Sequence, residues 1–206
     1  SLLISFSLEL YAEEVTKIEI NVYKNDGVEK TLIDTNSASL ALLNDKTVKS
    51  WGNNFYGQLG NTVNVGTNTA NNIPYLIPDL NNVIMIKAGN NHSIALLSDG
   101  TIKCWGLNDR GQLGDGTTTN SSSPVTVSGI NNAIAIAAGD KHSIALLSDG
   151  TIKSWGSNEF NQLGNSTNAG TTTANSSPLS VLNITNAIAI ASGSNHCLAL
   201  LNDNTV

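Results

Sequence analysis

The sequence predicts an all-β fold of repeated, four-stranded antiparallel units, and three observations carry that prediction. First, HSIALLSDGTIKCWG, from His92 to Gly106, returns as HSIALLSDGTIKSWG from His142 to Gly156, with Ser154 in place of Cys104. Second, the repeated text joins short apolar runs through Asp-Gly, the dipeptide that favours two-residue hairpin turns. Third, the copies differ in length only within polar, Gly-, Asn- and Thr-rich segments, as surface loops on a constant frame do.

Each element of the unit follows in order. AIAIA alternates Ile134 and Ile136 against Ala133, Ala135 and Ala137, which predicts a strand with one small face, suited to strands converging near an axis. SIALL carries apolar residues on both faces, the pattern of a strand covered on both sides. Ser148-Asp149-Gly150 turns the chain, and TIKSWG returns as the hairpin's second strand. VTV after Pro124 predicts a fourth, shorter strand. Four strands in about fifty residues is the size of a β-propeller blade.

Substitutions among the copies fit this reading. Gly57 and Gly111 become Asn161, and Gly100 and Gly150 become Asn204. After glycine, asparagine best tolerates positive φ, so left-handed turns are predicted at these places. Lys46 occupies the latter slot in the first copy, and Ala38 stands where later copies carry His92, His142 and His196. The first copy is therefore degenerate, as terminal repeats commonly are.

Residues 36–206 read as repeats whose Trp51, Trp105 and Trp155 are spaced 54 and 50 apart. Residues 1–35 read as a divergent first blade or the end of a preceding segment, with VTKIEINVY and KNDG as a hairpin and SLLISFSL as an edge strand. The sequence stops at LLNDNTV, where Lys-x-Trp-Gly is due, so an incomplete ring of about four repeats, truncated at the C-terminus, is expected. Open blade edges then invite self-association.

Composition narrows the function. Net charge is −6 with no run of Lys and Arg, which removes the usual driving force for nucleic-acid binding. No apolar run has the length of a membrane span. Cys104 and Cys197 sit where other copies carry Ser, in neither a CxxC pair nor a disulfide framework. HExxH, P-loop, GxSxG and Cys-His signatures are absent, and Asp99, Asp149 and Asp203 fall at turns. The expectation is no enzyme, no cofactor and no metal.

His92, His142 and His196 recur in one slot of successive copies, so symmetry spreads them instead of converging them on an ion. They are assigned a structural role, hydrogen bonding the strand-to-turn backbone. Trp51, Trp105 and Trp155 are assigned to packing between blades. Between WG and QLG the sequence varies at Phe55-Tyr56, Asp109-Arg110 and Glu159-Phe160. A rigid frame that varies its exposed tips builds binding surfaces, so these six are the candidate interaction residues.

WGxNxxGQLG, a Pro-containing loop, a short apolar strand and GxxHSxAL together resemble the repeats of the regulator of chromosome condensation family, over residues 36–206. The resemblance implies a seven-bladed propeller. Founding members act as nucleotide exchange factors on a small nuclear GTPase and dock on chromatin, through loops and tails outside the repeat signature. This sequence has no basic tail and no distinctive exchange loop. The expected function is a non-catalytic protein-interaction scaffold whose partner is another protein. The alternatives are a guanine nucleotide exchange factor for a small GTPase, or a secreted or surface module recognising glycan or protein. The acidic, Asn- and Thr-rich character leans towards an extracellular or cell-surface place, with a cytoplasmic one as the alternative.

Overall fold

The computed structural model describes residues 15–20 and 38–206, so the remaining readings made for residues 1–35 lie outside the described residues. Fourteen strands run through the described residues, with no helix among them. The first sheet contains β1 (Val15–Ile20), β2 (Ala38–Leu43), β3 (Val48–Gly52) and β4 (Asn71–Leu76). The second contains β5 (Val83–Ala88), β6 (His92–Leu97), β7 (Ile102–Gly106) and β8 (Ser121–Thr126). The third contains β9 (Ala133–Ala138), β10 (His142–Leu147), β11 (Ile152–Gly156) and β12 (Asn175–Ser180). A two-stranded sheet, β13 (Ala187–Ser192) and β14 (Cys197–Leu201), follows.

Every sheet is an antiparallel meander in chain order, and β1, β5, β9 and β13 lie next to one another in succession. These are propeller blades with the first strand of each innermost. The apolar cores lie between blades. Leu40 and Val48 pack with Ile77, Leu80, Ile86 and Trp105 between the first and second. Ile94, Ile102 and Leu113 pack with Ile130, Ile136 and Trp155 between the second and third. The expectation that SIALL is covered on both sides holds, since all of β10 is buried.

Two local expectations need correction. Ile134 and Ile136 do not share a face: Ile136 is buried, whereas Ile134 is 51% exposed. Leu147 pairs with Ala133 and Leu146 with Ala135, so a β-bulge leaves Ile134 without an opposite number and reverses the parity of the strand. The same shift recurs in β5 and β13, leaving Ile84 and Ile188 about half exposed on their innermost strands. The fourth strand also begins earlier than VTV suggests: β8 runs from Ser121 to Thr126 with Pro124 inside it. It is an outer edge strand whose register slips between Cys104 and Gly106, the setting in which a strand tolerates proline.

Turn chemistry follows the sequence closely. Gly100 and Gly150 have φ of +81° and +80°, and Lys46 and Asn204 occupy the same turn at φ +66° and +65°. Asn161 likewise matches Gly57 and Gly111 in sign. At these turns Asp45, Asp99, Asp149 and Asp203 each accept hydrogen bonds from the amide and hydroxyl of the Thr two residues on. Those bonds hold all four carboxyls below the ordinary aspartate range. Cys104 and Cys197 are free thiols, and burial raises the pKa of both, to about 11 for Cys197.

Candidate functional site

The loops after Gly106 and Gly156 leave from the end of the sheet where the first two strands of the same blade turn, because His92 pairs with Gly106 and His142 with Gly156, and Ala38 pairs with Gly52 in the same register. Leu107 and Ser157 donate from their amides to the carbonyls of Asn91 and Lys141, tying loop to turn at 2.8 Å. All six candidate tip residues therefore lie at one end of the blades.

Each loop is held from inside by two buried amides. The Oδ1 atoms of Asn54, Asn108 and Asn158 accept from the backbone N–H of Leu59, Leu113 and Leu163 at 2.9–3.0 Å. Their Nδ2 groups donate to carbonyls further along the loop, such as Val63, Thr119 and Thr167. Gln58, Gln112 and Gln162 accept from the amides of Tyr56, Arg110 and Phe160 at 2.8–2.9 Å, fixing the tip itself. The sequence reading gave these amides no role. Their signal was the unchanging Asn and Gln beside tip residues that vary from copy to copy. Asn108→Ala is expected to cost about 1–3 kcal/mol by leaving the buried Leu113 amide unpaired. Hydrogen exchange concentrated in residues 107–120, with the strands still protected, would show it.

The tips differ in availability. Phe55 and Tyr56 form an edge-to-face pair, with ring centroids 4.9 Å apart and planes at 72°. Phe160 is 61% exposed and Glu159 is also exposed. Arg110 is half-buried, and its carbonyl accepts from the amide of Asn175 in the next blade at 3.2 Å. Asp109 is occupied by Lys141, whose Nζ lies 3.0 Å from Oδ2 and belongs to the next blade. Partial burial opposes ionisation of Asp109, but its bonds from Lys141 and Gln112 prevail and its pKa is lowered. The three pairs stand one per blade.

The tryptophans and histidines join blades. Trp105 and Trp155 are fully buried, and each indole Nε1–H donates at 2.9 Å to the carbonyl of Gln58 or Gln112 in the preceding blade. Trp51 is only partly buried. The side chains of His92 and His142 do not bond the turn backbone as expected; they reach across to the next repeat, whereas His196 is exposed. His92 Nε2 lies 2.9 Å from Ser143 Oγ, which donates its own proton to the Gln112 carbonyl. The serine must therefore accept from His92 Nε2–H, which leaves Nδ1 bare. His142 Nε2 lies 2.9 Å from Ser192 Oγ and 3.1 Å from Cys197 Sγ. No sequence period reveals which atoms of neighbouring repeats meet. Among the described residues no group of three or more His, Cys, Asp or Glu side chains could hold a metal ion.

Nδ1 of both buried histidines lacks a hydrogen-bond partner, and a proton there would be stranded. Burial, with a smaller repulsion from the neighbouring histidine, pushes His92 down to about 3 and His142 to about 4. An unfolded histidine titrates near 6.5, so both contribute fully above that pH. Their contribution is lost as pH falls towards the folded values, at about 1.4 kcal/mol per pH unit for each. Urea midpoints should fall from pH 7 to pH 5, and His92→Gln should flatten that slope.

Residues 47–96, 99–146 and 149–200 match the regulator of chromosome condensation (RCC1) repeat, well over half of the chain. The chain belongs to the RCC1 repeat family. Protein pim1 of Schizosaccharomyces pombe is 35% identical over 86 residues, 37% of this chain and 16% of that protein. The probable E3 ubiquitin-protein ligase HERC4 of Mus musculus is 41% identical over 78 residues, 37% of this chain and 7% of that protein. The chain thus spans only a small part of the curated relatives it matches. Among solved structures, human WBSCR16 superposes with TM-score 0.70 at 26% identity, covering 81% of this chain and 43% of that one. Prp20p from Saccharomyces cerevisiae, described with its binding properties to Gsp1p and histones, superposes with TM-score 0.67 at 25% identity, covering 79% and 41%.

These relatives correct one expectation. The sequence reading expected no enzyme, yet RCC1 repeats like these occur within proteins named as E3 ubiquitin-protein ligases. The relatives give no support to an extracellular place. No helix among the described residues is long and apolar enough to cross a membrane.

Proposed function

We propose that this RCC1 repeat array is a protein-recognition module working through the end of the blades that carries the WG-to-QLG loops. The observation that carries the reading is the double anchoring of each loop by a buried Asn and a buried Gln. Tips fixed before binding lose little conformational freedom when a partner arrives. Phe55, Tyr56, Arg110 and Phe160 are the anchors, because aromatic and Arg side chains supply most hot-spot energy. Asp109 and Glu159 form the polar surround.

A second reading, guanine nucleotide exchange on a small GTPase, is favoured by the likeness to Prp20p, whose described partners are Gsp1p and histones. In a longer enzyme the same face would serve as the part that selects the substrate. Purified Gsp1p and histones are the probes, measured by calorimetry for binding and by release of labelled nucleotide for exchange. Changing Phe55, Tyr56, Arg110 and Phe160 together to Ala should abolish binding while leaving thermal unfolding unchanged. Binding retained by the folded quadruple variant would remove this face from the mechanism, and accelerated nucleotide release by the unaltered chain would establish the second reading.

A further inference from the structure

The first and third blades carry one outer frame with different side chains on it. The segments from Asn61 to Leu76 and from Asn165 to Ser180 have equal length. They share their turns, with Asn64 and Asn168 at φ +60° and +52°, and Gly66 and Gly170 at +75° and +70°. In both, the first of these Asn side chains donates from Nδ2 to Oδ1 of Asn71 or Asn175 at 3.0 Å, seating the loop on the outermost strand. On that frame Val63 stands where the third blade has Thr167, Val65 where it has Ala169, and Ile73 where it has Ser177. Tyr75 and Leu76 stand where it has Leu179 and Ser180. Ile73 is 75% exposed and the other four of the first blade 40–48%.

This exposure is built into the repeat. Ser123 and Thr126, the second blade's counterparts of Ile73 and Leu76, are also exposed, although that blade has a four-stranded sheet on either side. β4 is moreover the outermost strand of its own complete sheet. Water at these positions is the rule for the repeat, whereas Ile and Leu there are particular to the first blade.

Two further observations say what covers the strip. Between Lys49 and Asp79 there is no Asp, Glu, Lys, Arg or His, on a chain of net charge −6. The corresponding stretch of the second blade holds Asp109, Arg110 and Asp115. Two copies of this acidic chain repel over most of their surface, but here they meet with no like charges opposed. The five side chains together expose roughly 500 Å², so two copies joined here bury about 1,000 Å², enough for a weak specific pair. Pro74 interrupts the row of N–H donors along β4, which makes the strand a poor template for extending the sheet. The contact is therefore made by side chains.

We infer that the outer rim of the first blade is a self-association surface. Val63, Val65, Ile73, Tyr75 and Leu76 pack against the same residues of a second copy across a twofold axis. Such a contact needs a patch that complements itself, which an uncharged apolar strip does. None of the loop-tip residues takes part, so the loop-face reading above stands or falls separately.

The test is sedimentation of the 206-residue chain over about 1–500 μM, beside a variant carrying Val63→Thr, Val65→Ala, Ile73→Ser and Leu76→Ser. These are the third blade's own residues at the same places, so the frame should hold, and thermal unfolding checks that it does. The unaltered chain should form dimers, and the variant's dissociation constant should be at least about thirtyfold higher. Raising salt from about 0.1 to about 0.5 M should leave the dimer intact, because no ion pair carries it. If the variant misfolds, nuclear Overhauser contacts between the Ile73 and Leu76 methyl groups of labelled and unlabelled copies decide instead. A chain monomeric throughout the range, association that survives in the folded variant, or a dimer dissolved by salt would each overturn the inference.

Discussion

Trp105→Ala is expected to destabilise the protein by about 3–5 kcal/mol, among the largest single losses available. The indole is fully buried among residues of two blades, including Leu40, Val48 and Ile77, and its N–H satisfies the Gln58 carbonyl. Truncation therefore opens a cavity at a junction and removes one of the two donors to that carbonyl. Trp105 belongs to the apolar cluster that joins the two sheets, so its loss should loosen one blade from the next and broaden the unfolding transition. Trp105→Phe should recover part of the packing but none of the hydrogen bond. Trp51→Ala provides the contrast, because Trp51 is only partly buried. Chemical denaturation followed by circular dichroism checks the order, and an equal loss at Trp51 and Trp105 would contradict the junction role.

Gly139→Ala should rival that effect through crowding. A Cβ on Gly139 would run into the ring of His142 and lie 2.6 Å from the carbonyl oxygen of Gly193 in the next repeat. Neither obstacle can yield easily: the ring is buried and bonded to Ser192, and the carbonyl belongs to the adjacent turn. A cost of about 3 kcal/mol is expected, the upper end of ordinary overpacking. Gly89→Ala should behave alike, since its Cβ would meet His92 and lie 2.6 Å from the Gly139 oxygen. Gly129→Asn is the control. Nothing lies within 4 Å of its Cβ, and Asn tolerates its φ of +69°, so the change should be nearly neutral.

Much of the fold was legible because its determinants are local. Asp149-Gly150 sets a turn within three residues, and the Gly, Asn and Lys exchange at that turn reports the sign of φ directly. Trp105 and Trp155 were legible as packing residues because they recur beside Gly in every copy. The misreadings concern facts that reside in a partner strand or a neighbouring blade. The bulge at Ile134 is decided by how Leu146 and Leu147 pair, and AIAIA alone looks regular. Pro124 stands inside a strand because β8 is an outer edge. His92 finds Ser143, fifty-one positions along, through the angle between blades. In the loops, Asn108 and Gln112 hid as constant text until their bonds to Leu113 and Arg110 gave them a task.

The junction between blades has an evolutionary corollary. The carbonyl of Gln112 and the indole of Trp105 both lie within one fifty-residue stretch of sequence, the first facing forward along the array and the second backward. Tandem duplication of such a stretch therefore copies a complementary front and back together, and the newcomer fits both neighbours without further mutation. The near-identity of His92–Gly106 and His142–Gly156 is what recent lengthening by that route would leave behind.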